Sequence, residues 1–165
     1  MPFTAHHEGY YGKETVFVKD QIQKNILVLP LPHIVLIQIG SNDQSQSVTK
    51  YVQTFMHPLQ EIIEILRKKN ASVTILVGST TCCGRFKNLW MNHLRESLVT
   101  KLDKPTSRVI LVDHQIKWIS DPRDEHTDTF DWVHPNVQGQ KKMANNWMNA
   151  MKPFLKLNTL QSHDK

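Results

Sequence analysis

The stretch Ile34-Val35-Leu36-Ile37-Gln38-Ile39-Gly40-Ser41-Asn42-Asp43 reads as a β-strand running into a polar turn. Its first six residues are apolar nearly throughout instead of alternating, the pattern of a parallel strand covered on both faces. Two further runs share that character, Val73 to Val77 and Val109 to Val112. Helical patterns separate them. From Val48 to Lys69 the apolar residues Val48, Val52, Phe55, Leu59, Ile62, Ile63 and Leu66 recur three or four apart, and a second pattern covers about Arg85 to Leu102. A helix over Thr15 to Leu29, marked by Val18, Ile22, Ile26 and Leu29, precedes the first strand. The last helix opens at His134-Pro135-Asn136, with Asn136 as N-cap, and carries Met143, Trp147, Met151 and Phe154 at helical spacing. The order α-β-α-β-α-β-α predicts right-handed crossovers and a three-layer α/β/α domain around a parallel sheet. That domain is expected over residues 1–157, with 158–165 a polar tail.

Length and composition agree. A chain of 165 residues suits one domain, and 39% apolar with 21% charged residues excludes both a disordered chain and a membrane-embedded one. The longest apolar run, Ile26 to Ile39, is interrupted by Pro30, Pro32 and His33 and falls short of the roughly 18 residues that span a bilayer. Met1-Pro2-Phe3-Thr4 has neither the basic start nor the apolar stretch of a secretory signal. The net charge of +5 comes from scattered residues, so no nucleic-acid partner is expected. Arg67-Lys68-Lys69 closes a helix, where cations suit the macrodipole, and Lys141-Lys142 is assigned to a solvated helix face. Cys82 and Cys83 are adjacent, with Cα atoms only about 3.8 Å apart, and neither a disulfide framework nor a metal knuckle is expected. That cysteine usage is compatible with the cytoplasm without assigning the compartment. His6, His7 and Glu8 form a poor preformed metal site, because neighbouring residues near a terminus are not held in place.

In an open parallel sheet, ligands bind beyond the carboxyl ends of the strands. Those positions hold Gly40-Ser41-Asn42-Asp43, then Gly78 to Gly84, then Asp113-His114. A further polar cluster, Asp128 to Asn136, precedes the last helix. Within it Asp131 and His134 are three residues apart across a turn, a spacing that lets a carboxylate reach the Nδ1 side of an imidazole and fix its tautomer as general base. A helix N-terminus beside His134 also disfavours the imidazolium. The plainer reading of the pair is a cap and a surface histidine. Asn42 has two readings as well: a residue of an ordinary strand-to-helix turn, or an amide donor to a developing oxyanion.

Taken together, the Gly40-Ser41-Asn42-Asp43 turn and the Asp131-Trp132-Val133-His134-Pro135 cluster resemble the G-x-N-D and D-x-x-H blocks of the SGNH (GDSL-like) esterases and lipases. Upstream, His7-Glu8-Gly9-Tyr10-Tyr11-Gly12 is similar to the HEGxxG block of carbohydrate-esterase-like members. The resemblance runs in order from about His6 to Leu155 and implies the flavodoxin-like SGNH hydrolase fold, with no cofactor. It also implies a role for each matching residue: His134 as general base, Asp131 as its orienting carboxylate, Asn42 as an oxyanion-hole amide and Gly12 as a backbone donor, with Gly9 the alternative glycine. Asp43 is expected to shape the turn.

The family's first block, Gly-Asp-Ser after a central strand, has no counterpart here, so the resemblance implies an N-terminally truncated form of the fold. Eleven residues precede Gly12, none of them serine, and the first serine of the chain is Ser41. Cys82, Cys83 and Ser41 are poor substitutes, because the family's histidine faces the first strand's end. Without that strand, Ile34 to Ile39 becomes an open edge with unpaired backbone groups. Three readings stay open: a fragment of a longer esterase, a natural short relative whose edge is covered by a second copy, or a pseudoenzyme that binds ligand without turnover. The implied substrate is a small-molecule or glycan O-acyl ester, an acetylated carbohydrate first. Any export signal would lie upstream of the missing block.

Overall fold

The computed structural model describes residues 6–43, 47–81 and 85–155. Cys82, Cys83 and the tail 158–165 lie outside the described residues. Among the described residues, five α-helices and three strands follow one another as α1 (Thr15–Asn25), β1 (Ile34–Ile37), α2 (Val48–Tyr51), α3 (His57–Lys69), β2 (Thr74–Gly78), α4 (Arg85–Leu102), β3 (Val109–Val112) and α5 (Val137–Met151). The described strands form one all-parallel sheet in the order β1-β2-β3, with Leu36 beside Leu76 and Leu76 beside Ile110.

Side chains alternate across the pleat, so the sheet has two faces, and they are covered unequally. Ile37, Ile75, Val77 and Val109 enter the main core with Phe55, Leu59, Ile62 and Ile63 from the first crossover and Met91, Leu98 and Val99 from α4. Leu76 and Val112 point the other way and are also buried, on the side where Trp147 of α5 meets His114 edge-on at 4.7 Å. On that same face Leu36 of β1 stays 43% exposed. The expectation that all three strands are covered on both faces therefore holds for β2 and not for β1.

Three expected elements differ in detail. The helix expected to reach Leu29 ends at Asn25, and Leu27 and Val28 are exposed ahead of Pro30. The helix expected to be continuous from Val48 to Lys69 is broken by a π-helical segment, Val52–Met56. Pro58 gives the reason: it has no N–H for the fourth carbonyl behind it and its ring crowds that group, so the turn widens to accommodate it. Thr54 adds a hydroxyl bond back to Lys50 O at 3.0 Å. The first strand ends at Ile37, with Gln38 and Ile39 already leaving the ladder.

Two cations assigned to the surface are structural. Arg67 leaves the last turn of α3 to donate to Ser107 Oγ (3.0 Å) and to the carbonyls of Leu102 (2.6 Å) and Ser107 (2.7 Å), tying α3 to the loop before β3. Lys142 of α5 donates to the fully buried Asp128 at 2.7 Å.

The most consequential side chain is Arg95. It lies on the apolar stripe of α4, between Met91 and Val99, and is completely buried. Nη1 donates to Gly78 O at 2.5 Å and Nη2 to Ile39 O at 3.1 Å, joining the carboxyl ends of β2 and β1, while the guanidinium stacks on Phe55 at 4.6 Å. Arg95→Met keeps the apolar stem but strips both carbonyls of their charged donor. We expect a loss of about 2–4 kcal/mol in urea unfolding with an unchanged m-value; a loss below about 0.5 kcal/mol would show that the carbonyls find other partners.

Candidate active site

The Gly40–Asp43 turn is shaped by the arginine beneath it. Gly40 has φ +102°, and a Cβ there would lie 2.5 Å from both Arg95 Nη2 and the Phe55 ring, so only glycine fits in conformation and in space. The chain then turns so that Asp43, buried, accepts from the Thr15 N–H (3.0 Å) and the Thr15 hydroxyl (2.8 Å). Thr15 is the first residue of α1, and its N-cap residue, Glu14, makes no side-chain cap bond. Asp43 thus caps α1 from a distant loop and fixes where the segment before α1 lies. Burial pushes the Asp43 carboxyl above its ordinary pKa, against the opposing pull of the two Thr15 bonds.

Asn42 is exposed and donates one amide N–H to Lys13 O at 3.2 Å. A primary amide has two donors, so this bond orients the group and leaves a second N–H. Gly12 precedes Lys13 in a tight turn closed by Lys13 N–H to Tyr10 O (3.4 Å), at φ +69°. The structure therefore brings Asn42 and Gly12 to one place. Gly9 lies before that turn and is exposed.

Asp131 and His134 are also brought together. The Asp131 Oδ1 accepts from the backbone N–H of His134 (2.7 Å) and of Val133 (3.1 Å), and Oδ2 lies 2.8 Å from His134 Nδ1. The His134 backbone N–H, then its ring, then the Val133 N–H hold the Asp131 carboxyl down at about 2. Neither Asn42 nor Gly12 hydrogen-bonds to Asp131 or His134 among the described residues. The two halves share the carboxyl edge of the sheet, one following β1 and the other lying between β3 and α5.

The loop that carries the pair is anchored by Asp128, by Thr129 and by the Asn136 cap expected from the sequence. Asp128 Oδ2 accepts from the Ile119 N–H (2.8 Å) as well as from Lys142. Thr129, buried, donates to Ser120 O (2.9 Å) and accepts from the Trp132 N–H (3.2 Å), while Phe130 N–H to His134 O (2.9 Å) closes the tip. Asn136 caps α5 through Gly139 N–H (3.0 Å) and reaches back to Thr127 O (2.7 Å). Gly139 permits this closeness, since a Cβ would collide with the Asp128 carbonyl. At the tip Trp132 has φ +72°, a left-handed conformation that costs a residue with a Cβ about 1–2 kcal/mol.

After β2 and β3, the described residues Ser79, Asp113 and His114 make structural contacts. Ser79 donates to Asp113 Oδ1 (3.1 Å) and accepts from the His114 backbone N–H (2.8 Å), stitching β2 to β3. Burial drives the His114 imidazole down to about 4, so it packs against Trp147 as a neutral ring. Ser41 is partly buried inside its turn. The signal that could have exposed Arg95 is its place on the apolar stripe of a helix; the positive φ of Trp132 has no counterpart in the sequence.

Residues 17–147 match the GDSL-like lipase/acylhydrolase family. The chain belongs to that family. It is thereby a member of the SGNH-type carboxylic ester hydrolases. Solved structures share the fold. A family 3 carbohydrate esterase from Talaromyces cellulolyticus aligns with a TM-score of 0.67 at 19% identity, over 90% of this chain and 70% of that one. A family 3 carbohydrate esterase from Clostridium thermocellum gives 0.65 at 23% identity, over 90% and 69%. An acetyl esterase with a serine-to-alanine substitution, solved with acetate ion, gives 0.68 at 18%, over 90% and 73%. Compared with curated proteins, the chain has no match.

The Asp131 carboxyl carbon should titrate by NMR near pH 2, its carboxylate being favoured above that pH and its bonds to His134 lost as pH falls through it. In His134→Ala the midpoint should move only part of the way back towards an ordinary aspartate, because the backbone N–H groups of residues 133 and 134 remain. A full return would place the whole effect in the ring.

Proposed function

We propose that this chain carries the acid–base and oxyanion half of an SGNH serine esterase site acting on O-acyl esters, with acetylated carbohydrates as the substrate class. The observation that carries the reading is the 2.8 Å contact between Asp131 Oδ2 and His134 Nδ1. It fixes one ring nitrogen and leaves Nε2 to exchange the proton. The carbohydrate part is supported by the HEGxxG form of residues 7–12 and by the fold shared with proteins described as carbohydrate esterases.

In the proposed reaction a serine Oγ attacks the acyl carbon while His134 Nε2 takes its proton. The carbonyl π electrons move to oxygen, and the second Asn42 N–H and the Gly12 N–H receive the oxyanion. Collapse of the tetrahedral intermediate expels the alcohol, which leaves with the proton from His134. Water then attacks the acyl-enzyme with the same base, releasing the acid and restoring the serine. Asp131 keeps the imidazole in the productive tautomer and stabilises its charged form.

No serine occurs before Ser41, so the nucleophile in this reading belongs to a strand laid against the open edge of β1, and the 165 residues alone turn over little ester. A form extended upstream with a strand ending in Gly-Asp-Ser should be labelled by a serine-directed fluorophosphonate. His134→Ala in that form should lower kcat by about 10³-fold or more. An extended form that folds and resists the label would sink the proposal.

Among the described residues β1 has a free edge, and with the exposed Leu36 this favours a second reading for the chain alone, a dimer pairing β1 with its copy as a ligand-binding module. Light scattering should then give twice the chain mass, falling to one in Leu36→Lys; a monomer at all concentrations would discard it.

A further inference from the structure

Acyl-transfer chemistry accounts for Asp131 and His134 but not for the residue next to the aspartate. Trp132 lies in the left-handed region at φ +72°, where a glycine would sit without strain. Burial does not explain the bulky ring, because Trp132 remains 48% exposed. Its orientation is nevertheless held. The Arg123 guanidinium lies over the ring at 5.3 Å from the centroid, and Arg123 is itself gripped by Asp121 through Nε (2.9 Å) and Nη2 (2.7 Å). Behind it, the backbone N–H of Trp132 donates to the hydroxyl of the buried Thr129. A strained, exposed and braced aromatic ring within one hydrogen-bonded loop tip with the candidate base is a feature for which a ligand supplies the reason.

We infer that Trp132 is the stacking platform that receives the flat C–H face of a pyranose ring and so selects the carbohydrate side of the ester. This rests on the reading of Asp131 and His134 given above and names what that site holds in place. The chemistry of the rim favours a sugar over an acyl chain. A hydrocarbon chain gains from an enclosed apolar slot, whereas Trp132 is half exposed, with the Asp121-held Arg123 guanidinium over one face of the indole and the opposite face assigned to the sugar. A pyranose has the matching division, an apolar face for the indole and equatorial hydroxyls for the charged groups. Phe130 and Val133 are exposed on the same tip.

The test uses the 165-residue chain itself, since binding needs no nucleophile. Cellohexaose, xylohexaose and chitohexaose are titrated into ¹⁵N-labelled protein, with octanoate as the acyl-chain control. The Trp132 indole N–H, assigned by its loss in Trp132→Phe, should shift saturably with at least one oligosaccharide and not with octanoate. Trp132→Gly should weaken that binding at least tenfold with a thermal midpoint equal to or above that of the parent, while Trp132→Phe keeps most of the affinity. The platform is overturned if no oligosaccharide moves the signal, if octanoate alone does, or if Trp132→Gly binds as well as the parent. A lowered midpoint with unaltered binding likewise assigns the ring to folding. The two proposals fail separately. In the serine-bearing form, His134→Ala abolishing turnover while Trp132→Gly leaves KM unchanged removes the platform alone. Oligosaccharide binding that persists where His134→Ala retains full turnover removes the catalytic reading alone.

Discussion

A guanidinium buried beneath the carboxyl ends of β1 and β2 sets the geometry on which the site depends. Strand ends leave carbonyls without ladder partners, and inside a protein each must find a donor. Arg95 supplies two from one planar group, to Ile39 and Gly78, so the ends of the two strands are held at the fixed separation of its fork. The consequence passes directly into the loop. Gly40 must be glycine because Arg95 and Phe55 occupy the space of a side chain, and the chain leaves β1 in the one direction that puts Asn42 at the surface and Asp43 under α1. Asp43 then binds Thr15, so the turn containing Gly12 is located, through α1, by the same arginine.

The other half of the site is built on a different principle. The Asp131–His134 tip is exposed, and exposed ion pairs contribute little to stability. Its geometry comes from the layer behind it, where Asp128 is fully buried and met by Lys142, Ile119 N–H and the first turn of α5. A buried carboxylate with its cation removed is costly, which makes such a pair a firm anchor. The solvent-facing pair is therefore positioned from a buried carboxylate three residues before Asp131. The left-handed Trp132 occupies the tip because the loop must reverse between the aspartate and the histidine it orients.

The strands of the sheet are covered unequally. β2 is buried on both faces, whereas β1 has an unpaired edge among the described residues and carries Leu36 into solvent on the α5 side. The apolar run from Val35 to Ile39 is that of an interior strand. Among the described residues, a strand of interior composition thus occupies an edge position and leaves Leu36 in solvent.

Three parallel strands were legible in the sequence, because strands lying under crossover helices are apolar nearly throughout, whereas their order in the sheet came from the structure. The sequence by itself also determined the Asp131–His134 contact and the Asn136 cap, since both are local: three residues of backbone suffice to bring the atoms together. Only the tertiary structure decided that Arg95 and Lys142 are structural, because whether a cation is solvated or buried depends on what the rest of the chain packs against it. The pairing of Asn42 with the Gly12 turn across nearly thirty residues of chain, at Lys13 O, belongs to the same class. So does the strained ring of Trp132, whose dihedral angle is imposed by the closure of its loop and not by any propensity of tryptophan.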